Sequence, residues 1–200
     1  MPFRPLLERV PADHRPEIHA ELHRALRNYS DGGKIAFGAS VVFVSGKKYK
    51  DRPVKIKVAW IGKTKDRAIR ALTEEYLQRI QRYAPVEGIV LRDESDLVAK
   101  FESGKGFAKS TLVLLDSRGK EFSSEQFARF LGDYQDRNPL PLVFAIGAAD
   151  GFSDETRSVA HHVISLGKMT LAHELARVVL LEQVYRAFTI LKGHPYHSGH

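Results

Sequence analysis

The run Ile164-Ser165-Leu166-Gly167-Lys168-Met169-Thr170-Leu171-Ala172-His173-Glu174-Leu175-Ala176-Arg177 leads into a long apolar stretch, and His194-Pro195-Tyr196-His197 follows it. A strand pattern, a polar turn, a helix pattern and an aromatic-imidazole tail thus gather small side chains, backbone amides and titratable rings at one place. Imidazole and phenol groups steer or accept a proton, and a guanidinium binds a phosphate or a carbonyl oxygen. The spacing His194-x-x-His197-x-x-His200 also invites a metal, but the tail brings no carboxylate, and no metal is expected. His19-x-x-x-His23 lacks the order of residues of a zinc protease helix and reads as a solvated helix face. His161 and His162 are expected to be structural.

The elements that must position these groups follow an alternating pattern. Residues 54–61 read as a strand and 66–83 as a helix with Ile69, Leu72, Tyr76, Ile80 and Tyr83 on one face. Strands are then predicted at 88–91, 111–116, 142–146 and 162–166, with helices at about 93–102, 123–135, 153–160 and 172–191. Thr111-Leu112-Val113-Leu114-Leu115 is apolar throughout, as expected where helices cover both faces of a parallel sheet. The class is α/β. In such sheets ligands lie beyond the carboxyl ends of the strands, which directs attention to Asp116-Ser117-Arg118-Gly119, Gly147 to Gly151, and Gly167 to Thr170. Neither a dinucleotide fingerprint nor the full Gly-x-x-x-x-Gly-Lys-Ser/Thr phosphate loop is present, so NAD and ATP are disfavoured.

Composition bounds the remaining choices. Two hundred residues, 43% of them apolar, favour one domain with an appendage. The absence of cysteine removes disulfides, thiolate nucleophiles and Cys-based zinc sites and suits a reducing compartment, the cytoplasm by default. Neither a signal peptide nor a membrane-spanning run is expected. Of the net charge of +7, +4 falls in residues 1–53 and +3 in 54–200, which permits an RNA partner without requiring one. The polar stretch Lys47-Lys-Tyr-Lys-Asp-Arg-Pro53 reads as a linker, dividing an N-terminal extension, 1–53, from a domain, 54–200. Within the extension, Ile18, Leu22, Ala25 and Leu26 mark a helical face, Asp31-Gly32-Gly33 a turn, and residues 35–44 a strand.

The order of motifs resembles the RlmH family of small SPOUT-superfamily methyltransferases, which methylate N3 of a pseudouridine in helix 69 of 23S ribosomal RNA in the assembled ribosome. The resemblance spans residues 54–200 and rests on four stretches: Val143-Phe144-Ala145-Ile146-Gly147, Leu166 through His173, Arg177 through Phe188, and His194-Pro195-Tyr196-His197. It implies a SPOUT-type parallel sheet flanked by helices with a C-terminal trefoil knot, an exception to the usual absence of knots. It also implies S-adenosyl-L-methionine held at Leu115, Gly147, Leu166, Gly167, Lys168, Met169, Thr170 and Leu171. This cofactor carries no phosphate, so backbone amides and leucine faces suffice to hold it. The transfer requires loss of an imide proton and an oriented nitrogen, and His194, Tyr196, His197 and Arg177 are the candidates for substrate binding or proton transfer.

Two positions depart from the family pattern. Ala148 stands where a second glycine is common, and Ala172 where proline usually precedes the histidine; a methyl at 148 is expected to crowd a loop that approaches the cofactor. The helix over 172–191 leaves a narrow polar strip at His173, Arg177 and Glu182-Gln183-Arg186, so a symmetric homodimer is expected to cover the rest, with one subunit's tail completing the other's RNA surface. Val54 stands where family members begin, which suggests a GTG start and a gene-model extension before it. The rival reading is a basic RNA arm with Lys47, Lys48, Lys50 and Arg52. Two other functions stay open: a SPOUT enzyme acting on another nucleotide, and a non-catalytic ribosome-binding or assembly protein of the same fold.

Overall fold

The structure, a computed structural model, describes residues 53–103, 107, 109–148 and 150–197, together with the backbone of 30–31 and 34–35. The chain divides into two compact units, Met1–Gly46 and Lys47–His200. In the first, Ser30–Asp31 pairs antiparallel with Lys34–Ile35. The helix expected around Leu22, most of the strand expected over 35–44, and the basic residues Lys47, Lys48, Lys50 and Arg52 lie outside the described residues.

The second unit is a five-stranded sheet in which every pairing is parallel. Its strands are β1 (Ile56–Ile61), β2 (Val86–Leu91), β3 (Thr111–Glu121), β4 (Leu142–Ile146) and β5 (His162–Ser165). Helices α1 (Arg67–Gln81), α2 (Glu94–Glu102), α3 (Ser124–Arg137), α4 (Asp154–Val159) and α5 (His173–Leu191) connect or follow them. The spatial order is β2-β1-β4-β3-β5.

Side-chain alternation within apolar strands explains why both faces are covered. Val113 and Leu115 join Val58, Phe144, Leu131, Leu180 and Phe188 in one core, on the side of α1, α3 and α5. Leu112 and Leu114 point the other way and join Ala59, Val143, Leu97 and Phe152. Local signals start the helices. Asp66 accepts from the N–H of Ala68 and Ile69 at 2.7 and 3.0 Å, and Ser123 with Gln126 forms a capping box before α3. α1 and α3 both pack on α5.

Two differences from expectation bear on the site. β3 was expected to end at residue 116, yet it continues to Glu121 through a bulge: Ile164 of β5 is in register with Leu115 and again with Lys120, and the polar residues 116–119 loop out between them. Gly119 makes this possible. A Cβ there would lie 2.5 to 2.7 Å from the backbone of Ile164, so the chain crosses itself at a contact that no side chain fits. The second difference is Arg177. Placed by periodicity on the polar strip of α5, it is instead 1% exposed. It fits the interior because its guanidinium lies over the Trp60 ring, 4.5 Å from the centroid, and its Nε donates to Thr73 Oγ1 at 3.1 Å.

Candidate cofactor cleft

A cleft of about 220 Å³ opens at the carboxyl edge of the sheet, where the chain leaves β3, β4 and β5. Leu115, Gly147, Leu166, Gly167, Met169, Thr170 and Leu171 line it, whereas Lys168 is exposed and lies off its wall. Sequence reasoning had pointed to the loops after β3 and β4 as a whole. The structure selects from them Asp116, Ser117, Arg118, Ala148, Asp150 and Gly151, and adds Ser165, His173 and Ala176. His173 was visible only as part of a motif, because nothing in one sequence distinguishes a cleft histidine from a cap residue.

Each wall is held by specific bonds. Ser165 Oγ accepts from the Gly167 N–H at 3.1 Å and donates to the Gly167 carbonyl at 2.9 Å, which folds the chain back at the end of β5. Asp116 is buried; its Oδ1 accepts from the Arg118 N–H at 2.9 Å and its Oδ2 from Arg157 Nη1 at 3.0 Å. Arg157 also binds the Phe152 carbonyl and Asp154. Glu94 Oε1 accepts from the Ser153 N–H at 2.9 Å. The loop between β4 and α4 is therefore clamped to the exit of β3 on one side and to α2 on the other. Burial pushes the Asp116 carboxyl up, but the Arg118 N–H, the Arg157 guanidinium and the Phe152 N–H outweigh it and hold the group below its ordinary value.

Gly147 and Ala148 divide the glycine-pair position between them. A Cβ on buried Gly147 would meet the Gly151 carbonyl oxygen at 3.0 Å and Phe152 at 3.2 Å, whereas Ala148 is exposed and its carbonyl accepts from the Gly151 N–H at 3.1 Å. The methyl that departs from the pattern lies on the cleft wall. At Ala172, the N-cap of α5, no side chain caps the helix.

The other sequence candidates lie apart from this cleft. Arg177 is buried beneath it, against Trp60. His194, Tyr196 and His197 belong to the segment after α5, where Pro195–His197 forms a 3₁₀ turn. Tyr196 packs edge-on against Tyr185 at 4.8 Å, lies 5.2 Å from the Arg186 guanidinium, and donates to Glu182 Oε1 at 3.4 Å. The ten helical steps from Ala176 to Arg186 put about 15 Å between a chain's own cleft and its own tail. Burial, with Tyr76 and Glu182 alongside, pushes the Tyr196 phenol up to about 12. His161 Nδ1 accepts from the Leu112 N–H at 3.1 Å, and His162 sets its ring 5.3 Å from Phe130. Among the described residues, no group of His, Asp or Glu is arranged to hold a metal, and no helix is long and apolar enough to cross a membrane.

Residues 54–197 match the family described as predicted SPOUT methyltransferase. The chain is 53% identical over 147 residues to ribosomal RNA large subunit methyltransferase H of Koribacter versatilis, a match covering 74% of this chain and 100% of that one. The chain belongs to the RlmH family of SPOUT methyltransferases. The RlmH protein of the same name from Geobacter sp. strain M21 is 45% identical over 152 residues, covering 72% of this chain and 99% of that one. Among solved structures, a probable methylase family protein from Haemophilus influenzae Rd KW20 is similar at TM-score 0.47 and 11% identity, over 72% of this chain and 70% of that one. The cleft of this RlmH chain thus lies where its β3, β4 and β5 exits converge, walled by two of the four stretches that carry the family resemblance.

Proposed function

We propose that the chain is an S-adenosyl-L-methionine-dependent methyltransferase that acts in the cytoplasm on N3 of a pseudouridine in helix 69 of 23S ribosomal RNA, within the assembled ribosome. Family membership supports methyl transfer, and the names of the relatives support ribosomal RNA of the large subunit as substrate. The observation that carries the cofactor assignment is the character of the cleft. It is walled by backbone and small residues at Gly147, Gly151 and Gly167 and by the apolar side chains of Leu115, Leu166 and Leu171, with Met169 left 83% exposed at its rim. Such a wall, which Asp116, Arg118, Asp150 and His173 complete, suits a ligand with an adenine ring, a charged sulfonium amino-acid chain and no phosphate. The residues therefore fit the group. Leu115, Leu166 and Leu171 would cover its apolar faces, amides of the 147–151 and 166–171 segments would read its polar edges, and the uncapped start of α5 beside His173 would face its carboxylate.

When bound, S-adenosyl-L-methionine supplies an electrophilic methyl on a sulfonium. The chain's own task is to hold the target nitrogen in line, to take up or pass on one proton, and to keep water out. Tyr196, with its phenol pushed up to about 12, remains protonated at neutral pH and serves as a hydrogen-bond donor rather than a base. That leaves His194 and His197 for proton transfer and Arg118, at the cleft mouth, for a phosphate. The separation of the tail from its own cleft favours a symmetric homodimer, each tail completing the partner's cleft. Leu175 and Val179, one turn apart on α5, and Leu72 on α1 remain exposed as an apolar patch suited to that contact. The crossing of Gly119 over Ile164 supports the threaded, knotted arrangement of the C-terminal part.

The test is transfer of labelled methyl from S-adenosyl-L-methionine to ribosomes lacking the modification, with naked ribosomal RNA in parallel and the label mapped. Label confined to the helix 69 pseudouridine of assembled particles is expected. Label elsewhere, or none despite cofactor binding, would overturn the assignment.

A further inference from the structure

A second concavity, of about 480 Å³, runs between the end of β3, the face of α3 and β5, with Lys120, Phe122, Arg129, Phe130, Asp133 and His162 among its walls. β5 is the outermost strand of its sheet, so among the described residues no strand pairs with its far side. We propose that this groove binds a single-stranded stretch of the substrate RNA flanking the target nucleotide, with bases stacked on His162, Phe130 and Phe122 and phosphates on Lys120 and Arg129. The proposal rests on the ribosomal RNA reading given above.

Three features support RNA as the occupant. The first is the pairing of rings with cations. The rings of Phe130 and His162 lie 5.3 Å apart and nearly perpendicular, Phe122 and Phe130 lie 5.9 Å apart, and Lys120 Nζ lies 5.0 Å from the Phe122 centroid. Aromatic platforms flanked by basic side chains are the means by which proteins hold unpaired nucleotides, since every base offers a face for stacking and every link a negative charge. Second, Lys120 and Arg129 are exposed, and neither is held in an ion pair among the described residues, although Asp133 shares the groove. Partial desolvation and the neighbouring His161 hold the pKa of the exposed His162 below its ordinary value, which favours a neutral ring as a stacking surface.

Third, the groove lies close to the cleft. Ile164 is in register with both Leu115, on the cleft wall, and Lys120, on the groove wall. Arg118 and Lys120 are two residues apart, about 7 Å of extended chain. Nucleotides next to a target held at the cleft mouth fall within reach of the groove.

The experiment measures binding of the full chain to a short fluorescein-labelled oligouridylate over a range of salt, alongside methyl transfer to unmodified ribosomes. The double variant Lys120→Glu/Arg129→Glu is expected to weaken oligouridylate binding about tenfold or more, to flatten its salt dependence by about one to two in logarithmic slope, and to raise KM for ribosomes more than it lowers kcat. His162→Ala, at an exposed position, is expected to weaken binding about fivefold or more with little change in salt slope. Cofactor affinity and circular dichroism check that both variants are folded. Unchanged oligouridylate affinity and salt slope in both variants would overturn the proposal. So would a loss of ribosome affinity alone, which would assign the groove to a ribosomal protein. If the wild-type chain binds oligouridylate through the groove yet transfers no methyl to ribosomes, the groove stands and the enzymatic reading fails.

Discussion

The guanidinium of Arg177 lies over the indole of Trp60 while its Nε donates to Thr73, so a single buried cation pins α5 to β1 and α1. Among the described residues, neither Trp60 Nε1 nor Arg177 Nη2 has a hydrogen-bond partner, and the only carboxylate that acts on the arginine electrostatically is Glu174. The cation–π contact therefore stands against an incompletely satisfied buried charge. Arg177→Met, which keeps the volume and removes the charge, is expected to stay within about 1 kcal/mol of the parent chain. Arg177→Ala leaves a cavity and is expected to lose about 2–4 kcal/mol. Urea denaturation of both variants checks this; equal losses would mean that the charge itself is the stabilising element.

Gly119 offers a sharper case. A methyl at this position would overlap the backbone of Ile164, and a backbone has no rotamer with which to move aside. Gly119→Ala is expected to cost about 3 kcal/mol or more and to weaken cofactor binding with it, because the same crossing sets the positions of Leu115 and Ser165. Isothermal titration with S-adenosyl-L-methionine and a denaturation curve measure the two effects separately.

The clamp around Asp116 predicts a pH dependence. Asp116, Glu94 and Asp154 all have native pKa values below their ordinary ones. For Asp116 and Glu94 burial opposes the shift and hydrogen bonds overcome it; for Asp154 the Arg157 side chain is the leading cause. A lowered carboxylate adds stability that is present above its unfolded pKa and disappears as pH falls through its native one. Denaturation midpoints are therefore expected to drop below about pH 4. Asp116→Asn should be less stable at neutral pH and show a smaller drop. A drop of the same size in that variant would assign the acid sensitivity to other carboxylates.

Tyr196 makes the opposite prediction. With its phenol pushed up to about 12, the stability it contributes is present below the ordinary tyrosine value of about 10 and is lost as pH rises toward 12. The ultraviolet difference titration between the parent chain and Tyr196→Phe should reveal one phenol ionising in that range. Methyl-transfer rates of Tyr196→Phe should keep the same pH profile between 6 and 9, if about tenfold lower, since a hydrogen-bond donor is lost rather than a base.

Leu175→Glu with Val179→Glu tests the proposed contact between copies. Sedimentation equilibrium is expected to show a parent dimer and a monomeric variant, with methyl transfer lost and cofactor binding retained.

The parts of this molecule legible in its sequence are those written in apolar runs. Strands such as Leu142–Ile146 and Thr111–Leu115 are continuous hydrophobic segments because each is buried on both faces, and the helices between them carry caps and periodic faces. What sequence concealed depends on contacts distant along the chain. Nothing in Asp116-Ser117-Arg118-Gly119 signals that β3 resumes after it, because the signal is Ile164 passing beneath Gly119. Arg177 looked polar because periodicity counts charge without seeing an indole from β1 and a hydroxyl from α1 waiting for it. The cleft was legible as a set of strand exits, Asp116 among them, but the choice of His173 for its wall was not, since it follows from where α5 docks.

All the walls of the cleft come from residues between 115 and 176, and the helix that backs them runs to Leu191. During synthesis, therefore, a nascent chain has no cleft until almost its last helix has emerged. Three quarters of the protein can be made, and β1, β2 and β4 can already be paired, before that cleft exists. The cleft closes only with the pairing of β5 against β3.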